Sequence, residues 1–198
     1  MFKKILLTLF FLLWSSLSYC ETVTLLATTD NGGTVWAVVG PEAETEVWEV
    51  VQTNDGDTSY GSITSNENQN LEFQEFLPNV ASITSITVNA VQKTDSDADS
   101  RARIIFNNDN NQTGAKFSVG LTYATGSNSF TLNGETGLPW TKDEINGIGP
   151  TGIKYITIIG TDGTLGSYLR TTYVEVVVEY TPALKGESAS FLGIFDFL

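Results

Sequence analysis

The stretch TYVEVVVEY, Thr172 to Tyr180, decides the fold. Read in steps of two, it sets Val174, Val176, Val178 and Tyr180 on one face and Tyr173, Glu175, Val177 and Glu179 on the other. Successive side chains of a strand point to opposite faces, whereas a helix would bring together residues three and four apart. Glutamates alternating with valines therefore predict a strand with one face on a core and the other in water. Lys116 to Tyr123 repeats the pattern, with Phe117, Val119, Leu121 and Tyr123 expected inside. Arg101 to Phe106 turns Ala102, Ile104 and Phe106 in and Arg101 and Arg103 out; Ser85 to Ala90 turns in Ile86, Val88 and Ala90. Further strands are expected at 22–27, 34–39, 46–52, 71–76, 129–132 and 153–159.

Turn-forming residues separate these runs, as at Asp30-Asn31-Gly32-Gly33, Asn54-Asp55-Gly56-Asp57, 107–114, Thr125-Gly126-Ser127-Asn128 and Thr161-Asp162-Gly163. About ten short strands at such spacing define an all-β, antiparallel β-sandwich, with a jelly roll the expected arrangement. One short capping helix is expected near 141–147. Thr141 and Glu144 form a capping box, Pro139 precedes it, and Gly147 ends it. The helix is expected to plug one end of the sandwich, with Trp140 in the core.

Composition removes whole classes of chemistry. The 198 residues contain no histidine and one cysteine. Ser–His–Asp triads, Cys–His dyads, histidine-ligated zinc and intrachain disulfides are excluded. Residues 1–20 read as a signal peptide. Lys3 and Lys4 precede the run ILLTLFFLLW, Ile5 to Trp14, and small residues follow at Ser15, Ser16 and Ser18. Ten residues are too few to span a bilayer. Leu17-Ser18-Tyr19-Cys20 half matches a lipobox, but Tyr19 stands where Gly, Ala or Ser precedes a lipidated cysteine. A secreted or cell-envelope protein is expected, not a lipoprotein. Cleavage would leave 8 basic residues against 23 acids, a net charge of −15, with none of the basic residues in 21–92. Such a surface repels nucleic acid and anionic lipid. The domain is expected over 21–182, followed by a linker and apolar tail over 183–198.

A layout of motifs runs through residues 45–181. It comprises Trp48-Glu49-Val50-Val51, Asp55 to Tyr60, the 83–91 strand, Arg101 to Phe106, Thr136 to Thr141 with Ile145-Asn146, Gly152-Ile153-Lys154, and Arg170 to Tyr180. It resembles a loose family of phage-associated and environmental jelly-roll-like β-sandwich proteins. The resemblance implies a domain used in virion structures or surface appendages, without known catalysis. A leader peptide shifts that role toward the cell envelope.

Candidate site residues fall into three groups. Asp95, Asp97 and Asp99 have the opening of a calcium loop, but Ser100 replaces the turn glycine and Phe106 the bidentate glutamate. A solvated hairpin tip is the simpler reading, and weak calcium binding the only cofactor expectation. Asp55 and Asp57 make a second small acidic loop. Trp48, Tyr60, Tyr155 and Tyr173 are candidate sugar-stacking aromatics, alongside Trp36 and Tyr168; core packing is the competing role of each. Phe191, Leu192, Ile194, Phe195, Phe197 and Leu198 make the tail apolar and suit it to folding back or docking on a neighbour by strand addition.

Paired carboxylates fare worse. Glu175 and Glu179 would lie about 13 Å apart at ~3.3 Å per residue, beyond the ~5–9.5 Å a glycosidase uses. Glu72 with Glu75, and Glu46 with Glu49, would face opposite ways on regular strands. Asn111-Gln112-Thr113 reads as a polar loop. The first functional reading is a non-enzymatic structural or assembly subunit, a homo-oligomer or a partner of another surface protein. The second is a carbohydrate-binding or adhesion module. The third is a histidine-free glycan-degrading enzyme. Binding predicts exposed aromatics in a groove, assembly an apolar edge or tail, and catalysis two carboxylates converging in a cleft.

Overall fold

The computed structural model describes residues 19–33, 37–39, 46–55, 58–64, 68–95, 98–161 and 168–183. The leader up to residue 18, Trp36, Asp57, Asp97 and the whole apolar tail lie outside the described residues. Among those described, no helix is long and apolar enough to cross a membrane.

The described residues form eleven strands: β1 (Glu21–Gly33), β2 (Ala37–Val39), β3 (Tyr60–Thr64), β4 (Asn68–Phe73), β5 (Val80–Thr94), β6 (Ala98–Phe106), β7 (Asn111–Thr113), β8 (Phe117–Val119), β9 (Ala124–Phe130), β10 (Ile153–Thr161) and β11 (Tyr168–Pro182). Helix α1 covers Val47–Val50 and α2 Lys142–Ile145. All pairings are antiparallel. In sheet A, β9, β5 and β11 are neighbours; the far edge of β11 is shared by the first half of β1 and by β3, which carries β2. In sheet B, the second half of β1, then β4, β10 and β6 are neighbours, and β7 and β8 share the last edge. Strand β1 changes sheet between Leu26 and Ala27.

From β4 onward the long strands alternate between layers: β4, β6 and β10 in sheet B, β5, β9 and β11 in sheet A. That is an antiparallel β-sandwich with jelly-roll connectivity, as the period of two implies. Val174, Val176 and Val178 of β11 meet Ile86, Val88 and Ala90 of β5, Ala102, Ile104 and Phe106 of β6, and Ile156 and Ile158 of β10 in one buried cluster. Each such aliphatic side chain contributes about 1.5–3 kcal/mol by leaving water.

The layers also meet along the β6–β9 edge. Asn128 of β9 accepts from the Ala102 amide at 2.6 Å and donates to the Ala115 carbonyl at 2.9 Å, so one side-chain amide stitches sheet A to sheet B. The approach is close: a Cβ on Gly126 would lie 1.9 Å from the Phe117 ring.

The capping box forms as expected. Thr141 Oγ1 accepts from the Glu144 amide at 3.2 Å, and Glu144 Oε2 accepts from the Thr141 amide at 2.9 Å. Gly147, at φ +73°, then turns the chain out of the helix. Trp140 is buried, stacks on Phe106 at 6.2 Å and donates its indole N–H to the Phe130 carbonyl at 3.0 Å. Asn146 acts like a strand partner for Phe76, accepting from its amide at 2.8 Å and donating to its carbonyl at 3.0 Å. Helix α2 thereby pins the 74–79 segment over one end of the sandwich.

Several expectations are corrected. The 46–52 stretch is a helical turn, because the Asp30 carboxylate of β1 accepts from the amides of Val47 at 2.8 Å and Trp48 at 3.0 Å. Glu46 and Glu49 consequently share that turn instead of facing opposite ways, with the Glu46 amide donating to Glu49 at 3.1 Å. The run from Lys116 ends as a strand at Val119, and Leu121, expected inside, is 71% exposed. Leu132 likewise lies beyond β9 and is exposed. Asn111-Gln112-Thr113 is not a loop but β7, paired to β6. Strands β5 and β6, expected as the two arms of a hairpin, belong to different sheets and are not paired with each other.

Candidate functional site

The inward set of sheet B, Ala102, Ile104 and Phe106 with Ile156 and Ile158, leaves the intervening residues on its outer face. Strand register arranges these in rows. Thr113 of β7, Arg103 of β6, Thr157 of β10 and Asn70 of β4 form one row. Arg101, Ile159 and Asn68 form the next, and Asn111, Ile105 and Tyr155 a third. The rows are tied by short contacts. Thr157 donates to Asn70 Oδ1 at 2.7 Å, Arg103 Nε to Thr113 Oγ1 at 3.1 Å, and Thr113 to Asn111 Oδ1 at 3.2 Å.

Electrostatically this face is unusual. Lys154 pairs with Asp109 at 2.8 Å and Arg170 with Asp95 at 3.5 Å. No carboxylate among the described residues stands at ion-pair distance from Arg101 or Arg103. Both arginines are half-buried, and the buried Nε of Arg101 has no hydrogen-bond partner among the described residues. Burial, then repulsion from Arg101, lowers the Arg103 pKa.

At the α2 end, Tyr155 of the third row lines a cleft of about 210 Å³. Tyr155, Phe73, Glu72, Gln74, Glu75, Lys154 and Asn146 bring rings, carboxylates, amides and an ammonium to it, over a floor that includes Leu25, Leu71 and Val176. Glu72 and Glu75, expected on opposite faces, line this one cleft because β4 ends at Phe73 and frees Glu75 from the pleat.

Of the four candidate aromatics, only Tyr155 reaches the cleft, with Lys154 Nζ 5.7 Å from its ring centre. Trp48 lies on α1, half-buried against the core. Tyr60 on β3 carries the Arg170 guanidinium 5.1 Å from its ring centre. Tyr173 is on the outer face of sheet A and donates to Glu175 at 2.9 Å; desolvation, then Glu175, push its pKa up to about 12. Two of the four thus belong to sheet A, one to α1 and one to sheet B.

The acidic loops separate as well. Asp95 holds Arg170, while Asp99 accepts from Ser118 at 3.1 Å. Asp55 accepts from the Ser59 hydroxyl at 2.7 Å and from Thr172 at 3.2 Å, closing the loop onto β11. Among the described residues no three side chains of metal-ligating type cluster. The arginine pair, Gln74 and Asn146 were not candidates from the sequence. Two outward arginines on an alternating strand look like ordinary solvated side chains, and only the tertiary structure gives their surroundings.

No protein-family model matches the chain, and no curated protein matches it. Among solved structures, similarity extends to a carbohydrate-binding module of Cellvibrio mixtus lichenase 5A in complex with cellotriose, at 11% identity and TM-score 0.41 over 81% of this chain and 98% of that one. The CBM22-1 xylan-binding domain of Paenibacillus barcinonensis Xyn10C is similar at 7% identity and TM-score 0.39, over 85% and 100%. The enzymatically active domain of bacteriophage CBA120 tailspike protein 4 is similar at 10% identity and TM-score 0.29, over 84% of this chain and 19% of that one. At these TM-scores the likenesses carry no conclusion about this chain. Of the expected phage-associated jelly-roll family, the β-sandwich architecture is what the chain displays.

Proposed function

We propose that the protein is a non-catalytic glycan-binding module, exported by its leader, that takes an oligosaccharide across the outer face of sheet B with one ring in the cleft. The observation that carries this reading is the lining of the cleft. Aromatic side chains offer apolar faces with a polar rim, and carboxylates and amides beside them supply acceptors and donors for sugar hydroxyls. The volume is below the roughly 300–1,000 Å³ of drug-sized sites, which suits one ring of a chain that continues over an open face. The assembly reading draws on Phe191 to Leu198, outside the described residues, whereas the glycan reading draws on side chains in place.

The test is affinity electrophoresis of the full chain through gels containing soluble neutral or acidic polysaccharides, with reducing ends assayed in parallel. Retardation without new reducing ends, weakened at least tenfold by Tyr155→Ala, is the expected result. Release of reducing ends, abolished by Glu72→Gln or Glu75→Gln, would make the cleft a hydrolase instead. No retardation by any polysaccharide, with light scattering showing a defined oligomer, would return the protein to the assembly class.

A further inference from the structure

We infer that the glycan is acidic, and that Arg101 and Arg103 seat its carboxylate or sulfate ester. This rests on the glycan-binding reading and names the ligand class of the same face.

Charged side chains are rarely buried unless paired. Among the described residues Arg103 has the neutral hydroxyl of Thr113 as its partner, and the Arg101 Nε has none. The two arginines sit two residues apart on one face of β6, their Cα atoms about 6.6 Å apart at ~3.3 Å per residue, and the charge on Arg101 disfavours that on Arg103. Of the 23 acidic residues, Asp99 stands two residues from Arg101 on the same face of β6 but is held by Ser118, and no described carboxylate is at ion-pair distance from either guanidinium. An exogenous anion would relieve the repulsion and accept two parallel hydrogen bonds from the outer nitrogens of the planar guanidinium fork.

The surroundings narrow the anion to a sugar acid. Thr113, Thr157, Asn70 and Asn68 flank the pair with neutral hydroxyls and amides along the same rows. Tyr155 offers a ring one row away, opposite Ile105. Beyond it, Glu72 and Glu75 line the cleft with negative charge. A polyanion with a charge every few ångströms, such as a nucleic acid, would meet those carboxylates. An oligosaccharide with an acidic group on one ring and hydroxyls on the next meets arginines, then acceptors, in that order.

The test is calorimetric titration of the full chain with a galacturonate oligomer, a sulfated galactan oligomer and a neutral xylo-oligomer. The expected result is binding of at least one acidic ligand at least tenfold tighter than of the neutral one. Arg103→Gln and Arg101→Gln each reduce acidic binding about ten- to a hundredfold, and Arg103→Lys, keeping charge but losing the fork, falls between. The two acidic ligands distinguish carboxylate from sulfate. Melting curves check that each variant is folded. Acidic binding unchanged by all three substitutions, or a preference for the neutral oligomer, overturns the inference and leaves the glycan module standing. Failure of every oligomer overturns both. Loss of self-association in the arginine variants, with glycan binding unchanged, overturns the inference and makes the pair a contact between copies.

Discussion

The outer faces of the two sheets are built on the same alternation and end in opposite electrostatic states. On sheet A, Ser127 of β9 donates to Asn89 of β5 at 2.7 Å, Asn89 donates to Glu175 of β11 at 2.9 Å, and Tyr173 donates to the other oxygen of Glu175 at 2.9 Å. Glu179 accepts from Ser85 at 3.1 Å and from the Cys20 thiol at 3.2 Å. These carboxylates are engaged within the fold, and the face is finished. On sheet B, Arg101 and Arg103 occupy equivalent outward positions and find no carboxylate among the described residues. Buried polar groups are almost always partnered, so an exception asks for an explanation outside the folded chain. The difference shows that the outward half of a strand can be either structure or site, and that its partners decide which.

Substitutions beneath and between the faces have the largest expected effect. Ile158→Ala empties core under sheet B, where Ile158 is fully enclosed, and costs roughly 2–5 kcal/mol by chemical denaturation. Val176→Ala under sheet A removes less side chain and costs less. Equal losses from the two would contradict a shared core of ordinary packing. Asn128→Ala strands the Ala102 amide and the Ala115 carbonyl and is expected to cost about 1–3 kcal/mol. Hydrogen exchange should rise at Ala102 with it; an unchanged rate would mean that the β6–β9 edge is not held by this amide.

The finished face has a pH signature. Tyr173 ionises only near pH 12 in the folded protein against about 10 in an unfolded chain. The folded state therefore holds a proton that the unfolded state releases, and stability is full below pH 10 and falls toward pH 12. Tyr173→Phe should flatten the part of that slope that Tyr173 supplies. Tyr180, whose pKa its hydrogen bond to Glu21 raises, adds a slope of the same sign that the substitution leaves in place.

The smallest stability effect is expected on the other face. Arg103→Gln relieves like-charge repulsion and should change the melting midpoint little, within about 0.5 kcal/mol, in the same variant expected to lose its acidic ligand. A large destabilisation would mean that the arginine stem is structural, and the two faces would then differ less than the hydrogen bonds imply.

Much of the fold was legible because it is local. Val174, Val176 and Val178, or Ala102, Ile104 and Phe106, announce an inward face in nearest-neighbour spacing, and all six are buried. The Thr141–Glu144 box was readable for the same reason, since both partners lie within one turn. Residues 46–52 were misread because the carboxylate that caps them, Asp30, comes from another strand. Leu121 was misplaced because Gly120 ends the pleat and breaks its alternation. Glu72 and Glu75 were set apart by a strand assumed to continue three residues longer than it does.

Sequence alone determined the period of two, the helix cap, the absence of histidine chemistry and the inward faces of β5, β6 and β11. The pleat and the first helical turn are properties of neighbouring residues. Tertiary structure alone decided who stands opposite whom. Asn89 reaches Glu175 across 86 positions of chain, while Arg103 meets Thr113 across 10 and no acid. Cross-strand partners are set by the order in which strands join a sheet, and that order follows from burying the inward faces together. The charges on the outward faces are carried along with it, and on sheet B the two arginines are left half-buried with no described carboxylate at ion-pair distance.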